Sequence, residues 1–189
     1  MEKSALRKLY LQKRNELSAN EIVRLTGAIS EHFFNLDFSG VKYLHLFYAI
    51  PEKLEFDTLI LADWIRKNHP EIKLVLSKSD FETQRLTHYI WDADTLLSKN
   101  KWGITEPYSG AIVPPQLLDM ILVPLLVFDS NGNRVGYGKG FYDRFLAECR
   151  SDAQKVGISF FEPVEEIEDI DAFDITLDRC LSPDHIWDF

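Results

Sequence analysis

The stretch that most constrains this chain is DMILVPLLVFDSNGNRVGYGKGFYDRF, residues 119–145. It opens with an apolar run, Met120 to Val123, that has no polar alternation and ends at Pro124. A strand apolar on both faces has to be covered on both faces, and parallel sheets flanked by helices do that. Gly136, Gly138 and Gly140 then occupy every second position before a helix-forming segment begins. Glycine reaches backbone angles closed to other residues and lets a ligand approach the main chain, at a cost in chain entropy. In open α/β sheets, ligands sit beyond the C-terminal ends of the strands. A glycine loop leaving the most apolar strand lies at that place.

The rest of the chain supports the same class. Residues 3–17 read as a helix. Ser18-Ala19-Asn20-Glu21 has capping-box spacing and predicts a second helix to about Phe34. Strands are predicted at 43–48, 73–77, 86–91, 119–123 and 155–160. Helices are predicted from about Thr58 to Asn68, closed by Pro70, and from Tyr142 to Glu148. Apolar strands alternating with helices predict an α/β fold with a mainly parallel sheet. There is no internal repeat, low-complexity tract or linker, and 189 residues at 46% hydrophobic content suit one domain over residues 1–189.

Charge narrows the partners. The net charge is −9, and residues 160–189 account for all of it, with ten acids against Arg179. A broad basic face for nucleic acid is therefore not expected. No apolar run approaches 18 residues, so no membrane span is expected. The N-terminus is charged from Glu2 and has no apolar core, so it does not read as a secretory signal. Cys149 and Cys180 are far apart and lack metal spacing. They read as free thiols, and a cytoplasmic location is expected.

Four constellations can carry chemistry. The glycine loop, with Arg134 before it and Lys139 inside it, offers backbone N–H groups, a helix N-terminus and two cations to phosphate. Asp143, at the helix start, can hold Mg²⁺. A plain hairpin or helix entry fits the same residues, because neither common phosphate-loop spacing is present. On the N-terminal helix, Lys3, Arg7 and Arg14 fall within about 40° of one another, and residues 1–18 carry +3. That face is either a solvated basic stripe or one wall of an anion site. Glu55 follows a predicted strand, and Asp57 or Thr58 is the expected cap of the next helix, which leaves Glu55 free to face a cleft. Trp102 lies in a loop and covers core or stacks on a flat ligand. In the acidic tail, Asp174 and Asp178 read as solvated, with room for one of them to turn inward toward Asp143. No Ser or Cys has a nucleophile context, and the histidines lack ligand spacing. His45, in an apolar strand, reads as a core residue.

These stretches together resemble the 5-formyltetrahydrofolate cyclo-ligase (5,10-methenyltetrahydrofolate synthetase) family. The landmarks run in family order: KSALR at 3–7, LEFDT at 54–58, WGITEP at 102–107, the long stretch at 119–145, and DITLD at 174–178. The resemblance implies a three-layer α/β fold and a monomer. It also implies an ATP- and Mg²⁺-dependent closure of 5-formyltetrahydrofolate to 5,10-methenyltetrahydrofolate through a phosphorylated formyl group. The substrate supplies the nucleophiles in such a reaction, which accounts for the missing protein nucleophile.

By motif, the resemblance assigns Lys3 and Arg7 to ATP. The loop residues Arg134, Val135, Gly136, Tyr137, Gly138, Lys139, Gly140, Phe141 and Tyr142 are assigned to its phosphates. Arg134 and Lys139 would stabilise the transferring phosphoryl group. Glu55 would take the pterin's amino edge, Trp102 would stack on its ring, and Tyr137 and Phe141 would border the folate. Asp143 and Asp174 match the Mg²⁺ positions. The rival readings are a folate- or nucleotide-binding protein without turnover, and an ATP-dependent ligase or kinase for another small substrate.

Overall fold

Ser18 acts as its spacing predicts. Its Oγ accepts from the Glu21 amide at 3.3 Å, and the Glu21 carboxylate accepts from the Ser18 amide at 2.8 Å. The computed structural model describes all 189 residues. In chain order the first elements are α1 (Lys3–Asn15), α2 (Ala19–Phe34), β1 (Tyr43–His45), α3 (Leu59–Asn68), β2 (Lys73–Asp80) and β3 (Arg85–Ile90). Next come β4 (Leu97–Lys99), β5 (Thr105–Pro107), β6 (Met120–Pro124), β7 (Val127–Phe128) and β8 (Arg134–Val135). The chain closes with α4 (Phe141–Glu148), β9 (Gln154–Ile158), β10 (Arg179–Leu181) and β11 (Ile186–Asp188).

Seven strands form one sheet in the order β11-β10-β9-β6-β1-β2-β3. The inner five are mutually parallel, and the two edges, β3 and β11, are antiparallel to their neighbours. Alternation along the strands then sorts the core. Leu44, Leu74, Leu76, Met120, Leu122, Val156 and Ile158 share one cluster with Ile29 and Phe33 of α2 and Leu61 and Ile65 of α3. Val75, Ile121, Val123 and Cys180 belong to another, with Phe145 and Leu146 of α4. The result is the three-layer α/β/α arrangement expected from the sequence.

The layering also places the crevice. The β1–α3–β2 unit winds one way along the sheet, and β6–α4–β9 winds the other way. With crossovers of one hand, their helices fall on opposite faces. The order reverses between β1 and β6, and such a reversal opens a crevice at the C-terminal strand ends.

Helix α1 belongs to neither layer. Its Leu6 and Tyr10 pack with Leu126, Val127, Val135 and Ile167 in a small separate core beside that crevice. The β1 ladder is shorter than the predicted 43–48 strand, although the Leu46 amide still donates to the Val75 carbonyl at 2.9 Å. Beyond that point the chain bends into the crevice.

Candidate active site

A cavity of about 1180 Å³ occupies the C-terminal ends of β1, β2 and β6. The glycine loop forms one wall. Gly138 has φ +80°, which strains any other residue, and a Cβ there would lie 2.9 Å from the Arg7 guanidinium carbon and push that side chain off the loop. Arg7 holds the loop through Nε to the Gly136 carbonyl at 2.9 Å. Gly140, at φ 66°, is the N-cap position of α4. Lys139 lines the cavity, is exposed, and enters no ion pair. Val135 is different: its side chain is buried in the core under α1.

The acidic tail closes the phosphate-side end. The Lys3 ammonium pairs with Asp174, and the Lys3 amide donates to Asp169 at 2.6 Å. Asp174 is therefore the tail carboxylate that turns inward. Asp178 instead pairs with Lys155 at 2.7 Å. Arg134 has a side chain only 6% exposed, pairs with Asp143 at 2.7 Å, and donates to the Ile175 carbonyl. The Ile175 amide donates to Asp143 at 3.3 Å. Asp143 and Asp174 thus meet at one backbone segment.

Both carboxylates line the cavity, and each has one oxygen engaged within the protein, Asp143 Oδ1 and Asp174 Oδ2. The second oxygen of each has no protein partner. No three acidic, imidazole or thiol groups converge there. The pair fits Mg²⁺, which takes one or two protein carboxylates and draws its remaining ligands from phosphates and water.

The opposite end is organised by Glu55. The chain leaves β1, makes a 3₁₀ turn at Pro51–Lys53, and reverses at Leu54 with φ 48°. The Thr58 hydroxyl donates to the Phe47 carbonyl and pins this excursion. Thr58 takes the N-cap position of α3, while the bond to the Leu59 amide comes from Asp57 at 3.0 Å. Glu55 then faces inward. It accepts from the Ile50 amide at 2.7 Å and from the Tyr137 hydroxyl at 2.5 Å. Burial raises its pKa, partly offset by those two hydrogen bonds and by the charges of Arg14 and Lys53. Burial and the Glu55 charge raise the Tyr137 hydroxyl pKa. Burial also raises that of Tyr142, whose ring lies edge-on to Phe145 and His45.

Trp102 sits in the turn between β4 and β5, is 49% exposed, and lines the cavity rather than the core. Its ring stacks on Phe81 with centroids 3.7 Å apart, and Phe141 meets Phe81 edge-on at 5.2 Å. Phe81 lies past the end of the predicted 73–77 strand and outside every motif above. Its signal was alternation beyond the predicted strand, since Ser77, Ser79 and Phe81 all face the cavity. Behind Ser77 lie two histidines, His45 at 2.7 Å and His88 at 2.8 Å from its hydroxyl. His45 is a core residue, as read.

The profile of the 5-formyltetrahydrofolate cyclo-ligase family matches residues 1–178. A 5-formyltetrahydrofolate cyclo-ligase of Haemophilus influenzae is 27% identical over 171 residues, covering 86% of this chain and 90% of that protein. The NMR structure of Aquifex aeolicus 5,10-methenyltetrahydrofolate synthetase superposes with a TM-score of 0.83 at 34% identity, covering 100% of this chain and 93% of the other. A 5,10-methenyltetrahydrofolate synthetase from Mycoplasma pneumoniae gives a TM-score of 0.76 at 26% identity, over 96% and 98% of the two chains.

Proposed function

This chain belongs to the 5-formyltetrahydrofolate cyclo-ligase family, and on that premise we propose that its cavity closes 5-formyltetrahydrofolate to 5,10-methenyltetrahydrofolate at the expense of ATP. The observation that carries the reading is one cavity with two chemically different ends. Its volume, about 1180 Å³, exceeds the roughly 300–1,000 Å³ usual for a single drug-sized ligand. It suits two co-substrates. The end with Lys3, Arg7, Lys139 and the loop amides is cationic and takes the triphosphate. The end with Glu55, Tyr137, Trp102, Phe81 and Phe141 is aromatic with one carboxylate and takes the folate.

The reaction runs in two displacements. The formyl oxygen attacks the γ-phosphorus, the bridging bond breaks, and ADP leaves. Nitrogen-10 then attacks the activated formyl carbon and loses its proton, and the C–O bond breaks to release phosphate. No protein nucleophile is needed, so catalysis is positioning and charge stabilisation. Lys139 faces the transferring group as an unpaired cation. Arg7 contacts the triphosphate while bracing Gly136. Arg134 acts through its pair with Asp143, which shapes the loop entrance. Asp143 and Asp174 would hold Mg²⁺, which neutralises phosphate charge when bound. Glu55 accepts hydrogen bonds from the pterin's amino edge, and the aromatic group orients its ring. We place the reaction in the cytoplasm and the protein as a monomer.

The test is an incubation with ATP, Mg²⁺ and 5-formyltetrahydrofolate, followed by methenyl absorbance. Product that appears only when ATP is present supports the reading. No ATP-dependent product near neutral pH rejects it.

A further inference from the structure

Periodicity places Arg14 on the face of Lys3 and Arg7, but its environment differs from theirs. It lies in the last turn of α1 and is 5% exposed. Burying a guanidinium costs several kcal/mol unless it is paired and hydrogen-bonded. Arg14 donates from one terminal nitrogen to the Leu125 carbonyl at 2.5 Å, just past β6, and from the other to the Tyr137 hydroxyl at 3.0 Å. Tyr137 in turn donates to Glu55 at 2.5 Å. Arginine can only donate, so the tyrosine oxygen facing it must accept, and the one O–H proton is directed to Glu55.

We propose that Arg14 is a positioning residue for the folate end of the cavity: by polarising Tyr137 toward Glu55, it sets the orientation and charge of the carboxylate that meets the pterin. The inference rests on the reading of Glu55 as the pterin contact. Arg14 and Glu55 also border a second small cavity of about 10 Å³, walled by Phe47, Phe56, Ile158 and Phe160. Apolar walls lower the local dielectric, which strengthens the coupling between the cation and the carboxylate. The other ionisable groups acting on this network are Lys53 from the 3₁₀ turn, whose ammonium lies 3.8 Å from the Tyr137 ring centroid, and Tyr142 from α4. The Arg14 charge opposes the upward push of burial on the Glu55 carboxyl.

The test compares Arg14→Met, Arg14→Lys and Arg14→Gln, each alone and in the Glu55→Gln background. Arg14→Met should raise the KM for 5-formyltetrahydrofolate about 10-fold while the KM for ATP stays within about 2-fold, a coupling of the size contacting residues show. The acid limb of kcat/KM for folate should move to higher pH, because loss of a neighbouring cation raises a carboxyl pKa. Arg14→Lys should keep that limb near its original position. In the Glu55→Gln background, Arg14→Met should add less than about 2-fold. A full additional effect there, or an equal rise in the ATP KM, would overturn the proposal. Should Arg14→Met not fold, Arg14→Gln keeps a donor but removes the charge, and it should move the acid limb the same way and show the same non-additivity; an unmoved limb overturns the proposal. If the wild-type protein turns over no folate, the functional reading fails. The carbon-13 NMR titration of the Glu55 carboxyl then decides on Arg14 alone: upward displacement in Arg14→Met supports the network, and no displacement overturns it.

Discussion

Arg134 and Asp143 stand at the two ends of the glycine loop and are joined by a 2.7 Å ion pair. Because the guanidinium also bonds the Ile175 carbonyl, this cation is committed to holding the loop against the acidic tail. Lys139, two residues before Phe141, has no such commitment. The two cations, alike in the sequence, therefore differ in their partners.

Their alanine variants should separate. Lys139→Ala should lower kcat about 10²-fold, as loss of a preorganised charge does, with the melting temperature unchanged. Arg134→Ala should lower kcat and also cost about 1–2 kcal/mol of stability, since it leaves Asp143 without its partner in a part-buried pair. Chemical denaturation beside steady-state kinetics checks both. Equal destabilisation by the two variants would remove the distinction.

Asp174 should act through the metal. Asp174→Asn should raise the Mg²⁺ concentration for half-maximal activity by about 10-fold, within the range seen when a metal site loses a supporting contact, and saturating Mg²⁺ should restore most of the rate. A Mg²⁺ titration of activity reads this directly. An unchanged Mg²⁺ requirement would remove Asp174 from the metal site.

The sequence made the sheet's centre legible, because Leu74–Leu76 of β2, Met120–Val123 of β6 and Val156–Ile158 of β9 are buried on both faces and contain no polar residue. It did not show β10 or β11. Arg-Cys-Leu at 179–181 and Ile-Trp-Asp at 186–188 are too short to carry a period; β10 forms on the edge that β9 offers, and β11 on the edge of β10. The β7–β8 hairpin was missed, although Asn131-Gly132 between apolar runs is a hairpin signal. Its turn is organised by the buried Asp129, which accepts from the amides of Asn131 and Asn133. For the site, motif order brought Lys3, Arg7, Glu55, Trp102 and the loop to one cavity. The burial of Arg14 was not legible. Periodicity gives an angle about the helix axis, not depth, and depth is what separates Arg14 from Lys3.

Trp102 should matter to folate alone. Trp102→Ala removes one half of the stack with Phe81 and should raise the KM for 5-formyltetrahydrofolate about 3- to 10-fold, since ring stacking contributes about 0.5–1.5 kcal/mol. The KM for ATP should stay unchanged. A rise in both would mean that the loop supports the whole cavity rather than one substrate.

The buried histidines should make the fold acid-sensitive. Burial lowers the His88 pKa to about 4, and burial together with His88 holds His45 well below its ordinary value. Between about pH 6.5 and 4, unfolded histidine binds a proton that folded His88 refuses. Its contribution is therefore present above about pH 6.5 and is lost as pH falls toward 4, about 3 kcal/mol in all. His88→Gln should flatten that part of the stability–pH curve. Denaturant melts across this window check it, and an unchanged slope would contradict the assignment.

The central claim is that the formyl oxygen meets the γ-phosphorus inside this cavity. Supply 5-formyltetrahydrofolate labelled with oxygen-18 at the formyl group, and analyse the released phosphate by mass spectrometry. The account predicts one labelled oxygen in each phosphate released with methenyl product. Methenyl product with unlabelled phosphate would contradict it.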